Sequence, residues 1–370
     1  MPGAHVRFSM YRSAPSAAVK QGVRAALSSC YYGLGLHAFS PRGRVLVLMY
    51  HRVLRDSDPL IPNLQPGIYV TRSSFERQVQ YLLAHYKILS FPDLLSAWNR
   101  GSLDARVRYC VLTFDDGWED TFSCAFPVLR WHRVPATIFL ATSYIGSSQW
   151  FWTDRLSYLL ACARRAQLSP TQRRDLRALA DTLNWADLPA FLGLPPDSSR
   201  GCVTRILDGA VEAFKTLPSD RIEHFLDRFA HTLEAHIPNQ RVFLSWDEVC
   251  EMSEHGMSFG SHTVTHPILT NIQLQQVDQE LGNSLETLRS KPIASLPVFC
   301  YPNGSYNETI KDRVKAAGYV AAVTVDCGTE TKQPRDLFAI RRLGIHQDVT
   351  RTPALFSLHL SELLTSHGGS

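Results

Sequence analysis

The stretch "VLVLMYHRV", residues 45–53, runs through six uncharged, largely apolar residues before it reaches His51 and Arg52. A strand of this kind has two faces to bury, a condition met chiefly in parallel sheets covered by helices. Comparable runs follow in "VRYCVLTF", "ATIFLATSYIG", "MSFGSHT", "LPVFCYP", "YVAAVTV" and "FAIRRLGI". Helical patterns lie between several of them, at 246–255, 271–290 and 307–317, and "DTFSCAFPVLRWH" reads as a further helix. "TRSSFERQVQYLLAHY" reads as an amphipathic helix with Phe75, Val79, Leu82 and Leu83 on one face and Ser73 or Ser74 as its N-cap. This alternation predicts a parallel α/β architecture closed as a barrel, with its chemistry at the carboxyl ends of the strands.

Residues 148–242 break the rhythm. "DRLSYLLACARRAQL", "TQRRDLRALADTL" and "RILDGAVEAFKTL" are helical in pattern, and no strand run separates them. Because both flanks return to strand–helix alternation, this segment is expected to be a helical insertion over one face of the barrel, within a catalytic domain spanning 43–365. Residues 1–42 form a separate N-terminal segment in which Val19, Val23, Ala26 and Leu27 recur at helical spacing, with Lys20 and Arg24 on another face. Tyr31, Tyr32, Leu34, Leu36 and Phe39 follow. The expectation is a helix packed on its own domain, with a weak membrane-surface contact as the alternative.

A chain of 370 residues, 45% hydrophobic and 19% charged, is long enough for a sizeable core. The net charge of +4 comes from scattered basic residues, which gives no case for a nucleic-acid partner. Eight cysteines without a CxxC pair read as free, mostly buried thiols of a reducing compartment. Positions 1–30 lack the continuous apolar core of a secretory signal, so the expected location is cytoplasmic, with a peripheral place at the inner membrane as the variant.

Three polar segments end predicted strands. In "TFDDGW" the acids Asp115 and Asp116 follow an apolar run and precede Gly117. Two adjacent carboxylates repel unless a cation, a proton or a partner resolves the conflict. In "SHTVTHP" His262 and His266 stand four apart, but Pro267 disfavours a helix there and moves the pair onto a strand-end loop. The third segment is the "YPNGSYN" turn. Two imidazoles and a carboxylate with open positions make a catalytic zinc set.

TFDDGW, SHTVTHP and FCYPNGSYN resemble, in that order, the first three motifs of the polysaccharide deacetylases of the NodB-homology type, carbohydrate esterase family 4. The resemblance covers about residues 43–350, and "MYHRV" with "FERQVQYL" is similar to the bacterial exopolysaccharide branch. It implies a distorted (β/α) barrel that hydrolyses N-acetyl groups of GlcNAc-type amino sugars, in a polysaccharide or its precursor, with a divalent metal, zinc foremost. Asp116, His262 and His266 match the metal ligands and Asp115 the catalytic base. The oxyanion is expected at the backbone N–H of Tyr301, beside Pro302.

The proton donor to the leaving amine is less sharply marked. His346 in "RRLGIHQD" ends a strand and is the first choice; His359 reads as a core residue, and His51 as a pocket-lining or ligand-orienting one. The arginine that many members carry in the third motif falls at Cys300, so Arg341 or Arg342 is the expected substitute, and the fourth motif's Asp-Trp pair has no clear counterpart. Trp118, Trp150 and Trp152 could stack on sugar rings, although core packing is the commoner fate. The competing functions are deacetylation or deformylation of another small amide or glycolipid, and carbohydrate binding without catalysis.

Overall fold

The computed structural model describes residues 17–36, 42–59, 61, 64, 66–183, 185, 187–193 and 200–361. Ten strands occur in them: β1 (Val45–Tyr50), β2 (Arg52–Leu54), β3 (Tyr69–Thr71), β4 (Lys87–Ile88), β5 (Tyr109–Phe114), β6 (Thr137–Leu140), β7 (Ser258–Ser261), β8 (Ser295–Cys300), β9 (Ala321–Cys327) and β10 (Ile340–Gly344). β1, β10, β9, β8, β7, β6 and β5 pair in that order, all parallel, and β5 returns to β1. The result is a closed seven-stranded barrel; β4 adds to β5 outside the ring, and β2 pairs with β3 as a small ribbon.

Fourteen α-helices accompany them: α1 (Ala17–Gly33), α2 (Arg72–His85), α3 (Phe91–Arg100), α4 (Phe126–His132), α5 (Trp152–Arg165), α6 (Pro170–Asp181), α7 (Asp187–Leu192), α8 (Arg200–Phe214), α9 (Ser219–Leu233), α10 (Trp246–Glu254), α11 (Leu274–Arg289), α12 (Glu308–Ala316), α13 (Gln347–Thr350) and α14 (Pro353–Leu360).

Alternation along the strands explains why they are apolar throughout. Val45 and Val47 join Tyr109, Val111, Val298, Val323 and Ile340 in one core, closed by Phe91, Leu94 and Trp98 of α3. The intervening Leu46, Leu48 and Tyr50 join Leu112 and Phe114 in a second core with Val79 and Leu82 of α2 and Leu129 of α4. Successive residues of one strand thus serve two cores, as a period of two requires. Gly260 of β7 fits this packing because a Cβ there would lie 2.6 Å from the Phe139 ring and 2.8 Å from the Val298 carbonyl.

Between β6 and β7 stand α5 to α9, which bury Leu156, Leu176, Leu188, Phe214, Phe225 and Phe229 in a core of their own. Several local expectations need correction. α2 is capped by Thr71, whose side chain accepts from Ser74 N–H, and Leu83 is exposed. α1 packs beside α14 with Tyr31 and Ser28 buried, while Val23 and Leu27 face solvent at 54% and 51% exposure. Arg24 points inward and donates to His359 Nδ1. Phe39 and the side chains of Val19 and Lys20 lie outside the described residues. Of the cysteines, Cys110, Cys124 and Cys300 are buried, whereas Cys30 and Cys327 are exposed; the Cys202 side chain lies outside the described residues. No described helix is long and apolar enough to cross a membrane.

Candidate active site

The barrel's inward-facing residues change character along their length. Below, β5 contributes Tyr109 and Val111; the same parity then brings Thr113 and Asp115 inward at its carboxyl end. On β10 the parity of Ile340 carries Arg342 inward, where it is completely buried. Its guanidinium grips Asp115 with two bonds of 2.7 Å, and it donates further to Thr324 O, Thr113 Oγ1 and Cys300 Sγ. Burial would raise the Asp115 pKa, but the Arg342 charge outweighs it and holds the carboxyl below its ordinary value. Arg341 points elsewhere, to Glu330. Of the two arginines read from the sequence, Arg342 reaches the acid, and it fills the space beside Cys300.

Asp116 breaks from the strand with φ 76°, and Gly117 follows at φ 83°. A Cβ on Gly117 would meet Leu140 at 2.7 Å and Ile145 at 2.9 Å, so a larger residue cannot turn the chain here. Thr263, His266 and Asn303 are also left-handed, at φ 69°, 58° and 55°. Together with Asp116 they are four of the six non-glycine residues of positive φ among the described residues; strain of this kind persists only where surroundings enforce it.

These turns bring three donors together. Asp116 Oδ1 lies 3.3 Å from His262 Nε2 and 3.4 Å from His266 Nε2, and the two imidazole nitrogens are 3.2 Å apart. Donors held tetrahedrally around one cation at about 2.0–2.1 Å stand ~3.3–3.4 Å from each other. The chemistry of the set matches too. His262 Nδ1 is 2.8 Å from the Cys300 carbonyl, which anchors the ring and turns Nε2 toward Asp116 and His266. Burial acts against a charge on this imidazole, but Cys300 and Asp116 outweigh it and raise its pKa, so a cation would take the place of the Nε2 proton. Burial and the neighbouring His262 push His266 down to about 4, so it is neutral near pH 7. Burial acts against the charge on Asp116, but its hydrogen bond to His262 and the nearby His266 hold its pKa down. A second group of possible donors, Asp115, His262 and Cys300, surrounds space already governed by the Arg342 cation and suits a metal less well.

The triad opens into a cleft of about 760 Å³ whose lining includes His51, Asp115, Tyr301 and Asn303 from the barrel and Trp152, Asp154 and Glu223 from the insertion. A side groove of about 320 Å³ continues past Thr265 and Pro267 along α11, where Gln276, Gln279 and Asn283 line it. Asp154 was not marked by any sequence motif; burial raises its carboxyl to about 6.

Other sequence-derived residues fall differently from expectation. The Tyr301 N–H donates to Val323 O at 3.3 Å within the sheet, so it does not face an oxyanion, and Pro302 is buried under the turn. Asn303 is the turn residue that joins Tyr301 in the cleft wall. Trp118 lines the cleft but is only 2% exposed; it stacks on Phe243, and its indole N–H donates to Asp116 Oδ2 at 2.9 Å. It therefore steadies an acid and leaves no open face for a sugar. Trp150 donates to Gln240 O away from the cleft lining, whereas Trp152 lines it. His51 follows β1 with Nε2 4.0 Å from Asp115 Oδ2. His346, by contrast, is not among the cleft's lining residues: it caps α13, its Nδ1 is buried without a partner, and burial lowers its pKa. His359 is buried, with Nε2 2.9 Å from Gly344 O.

The sequence profile of the family described as polysaccharide deacetylase matches residues 103–192 and 207–322. A poly-beta-1,6-N-acetyl-D-glucosamine N-deacetylase of Staphylococcus epidermidis is 25% identical over 228 residues, covering 59% of this chain and 72% of the relative. The Staphylococcus aureus (strain MSSA476) protein of the same description is 29% identical over 124 residues, 30% of this chain and 41% of the relative. Among solved structures, the Streptococcus pyogenes deacetylase PplD in complex with acetate superposes with a TM-score of 0.52 at 19% identity, covering 84% of this chain and 96% of that one. IcaB from Ammonifex degensii gives 0.50 at 15% identity, covering 86% and 98%. The two structures share the barrel fold with this chain.

Proposed function

The chain belongs to the polysaccharide deacetylase family, and from that premise we propose that it is a metal-dependent N-deacetylase acting on GlcNAc-type residues of an exopolysaccharide or its precursor. The observation that carries the reading is the division of labour between two neighbouring acids. Asp116 joins His262 and His266 at the spacing a tetrahedral cation requires, while Asp115 is held away from that set and kept ionised by Arg342. Zinc suits a centre of two imidazoles and one carboxylate with an open position. A divalent cation there would polarise the acetamido carbonyl and acidify the attacking water.

The chain's own groups supply the rest. Asp115 takes the proton of the attacking water, in the orientation its two bonds to Arg342 enforce. Cleavage of the C–N bond then requires a proton on the departing amine, and acetate and a free amino sugar leave. His51, in the cleft and beside Asp115, is better placed to give that proton than His346. The Asn303 turn is the candidate for backbone support of the carbonyl oxygen. The side groove, with its row of amide side chains, favours an oligomeric sugar over a small free amide.

Released acetate tests the reading, measured on β-1,6-linked N-acetylglucosamine oligomers with native, chelated and zinc-restored protein. Turnover lost on chelation and recovered with zinc is expected. Equal turnover after complete removal of metal would refute metal dependence, and no acetate from any acetylated amino-sugar oligomer would refute the reaction.

A further inference from the structure

His262 and His266 are held in different ways. The His262 ring is anchored by the Cys300 carbonyl. For His266, among the described residues, the ring hydrogen bond is the one to His262 Nε2 itself, and no carbonyl or carboxylate orients its other nitrogen. Its backbone is fixed, since Glu280 accepts from Val264 N–H and Thr265 N–H just before it. What faces the ring is Phe151, stacked at 4.5 Å between centroids and 23° between planes.

Phe151 is also where the helical insertion begins, directly before α5. Phe243, where the chain returns, packs against it at 4.6 Å and stacks on Trp118 at 4.5 Å, and the Trp118 indole holds Asp116. Backbone bonds from Glu119 N–H to Val242 O and from Leu244 N–H to Gly117 O tie the returning chain to the Asp116 turn. Tyr144 completes the cluster at 4.6 Å from Phe151 and 5.1 Å from Phe243. Both ends of the insertion therefore rest on metal-binding side chains, one on His266 and one, through Trp118, on Asp116.

We propose that Phe151 and Phe243 are positioning residues for the metal centre, and that metal binding and the docking of the helical insertion are thermodynamically linked through them. A ring that can rotate must lose that freedom on coordination, so a stacked neighbour that orients it beforehand raises affinity. Linkage is reciprocal: a cation that fixes His266 gives Phe151 a fixed surface, and so favours the docked insertion.

The proposal rests on Asp116, His262 and His266 being ligands, and its test separates the two ideas. Zinc affinity of the full chain is measured by competition with a chromophoric chelator, for wild type, Phe151→Leu and Phe151→Tyr. The leucine keeps apolar volume without a ring, and the tyrosine keeps the ring. Phe151→Leu should bind zinc about 10–100-fold more weakly, the scale of losing an outer group that orients a ligand. Phe151→Tyr should stay near wild type, and the visible spectrum of the cobalt-loaded protein should change only in the leucine variant. Hydrogen exchange should show amides of α5 gaining protection when zinc is added to wild type, and losing that gain in Phe151→Leu. Unchanged affinity in Phe151→Leu, or zinc-independent exchange in α5, overturns the linkage. Absence of stoichiometric zinc in the wild type would instead overturn the ligand assignment.

Discussion

The barrel and the insertion bury side chains on opposite terms. Inside the barrel, the apolar layer of Val45, Val111 and Ile340 gives way toward the cleft to Thr113, Asp115 and Arg342, all buried, with Arg342 bonded to both of the others. Within 148–242, among the described residues, the core is leucine, phenylalanine and alanine with Trp185, Val203, Val211 and Ile222, and Asp154 with its raised carboxyl lies in the cleft wall, outside that core. A buried charge pair needs partners placed to within tenths of an ångström, which a hydrogen-bonded ring of strands provides. A helical module whose core is filled by apolar side chains adapts more readily. The comparison assigns chemistry to the barrel and the shape of the cleft wall to the insertion.

The strongest way to break that division is at Asp115. Asp115→Asn should lower kcat by about 10²–10⁴-fold with zinc content unchanged, because an amide cannot take the water's proton. Normal turnover in this variant would move the base elsewhere. The insertion's counterpart is Phe225, deep in the separate core. Phe225→Ala should cost about 3–5 kcal/mol of stability through the cavity it leaves. Proteolysis should find that loss as early cleavage within 152–233, with the barrel still protected; simultaneous loss of both would make them one cooperative unit.

A smaller effect sharpens the barrel side. If His51, which lines the cleft beside Asp115, protonates the leaving amine, removing its imidazole removes the proton donor. His51→Gln should lower kcat by about 10²-fold with zinc content unchanged, while His346→Gln keeps turnover near wild type. Turnover lost in His346→Gln and kept in His51→Gln would restore the assignment made from the strand-end position alone.

The smallest expected change concerns stability and pH. His359 is buried with its pKa pushed down to about 4 in the folded chain, against about 6.5 unfolded. Between those values the unfolded state binds more protons, so stability rises with pH across the window. The contribution, up to about 3 kcal/mol, is complete above about pH 6.5 and lost as pH falls toward 4. His359→Gln should flatten the melting temperature against pH in that interval, and an unaltered slope would assign it to other groups.

The parallel barrel was legible because strands buried on both sides leave an uninterrupted apolar signature, as in Val45–Tyr50 and Tyr109–Phe114. Asp115, Asp116, His262 and His266 were legible as a set because each follows such a strand. Arg342 was visible only as one of two candidates, though strand parity with Ile340 distinguishes it from Arg341. Phe151 and Asp154 carried no mark, and Asn303 was only one residue of a marked turn, since their roles depend on how the insertion and the third turn fold back over the cleft. His346 misled because the end of a strand does not determine which way the next turn faces; here it opens α13. The first helix misled for a related reason: Val23 and Leu27 have the spacing of a packed face, and periodicity does not say which of two faces finds a neighbour.

Asp115 and Arg342 are 227 residues apart in sequence, one near the start of the ring and the other on the strand that closes it. During synthesis, the acid leaves the ribosome long before its partner exists. Contacts of such high separation form late in folding, after the local helices and neighbouring strands. A chain truncated before β10 would carry the triad residues but an unneutralised Asp115 with no fixed orientation. Competence to cleave an amide would therefore arise with closure of the ring, so partly folded chains should be catalytically silent even where they can already capture a cation.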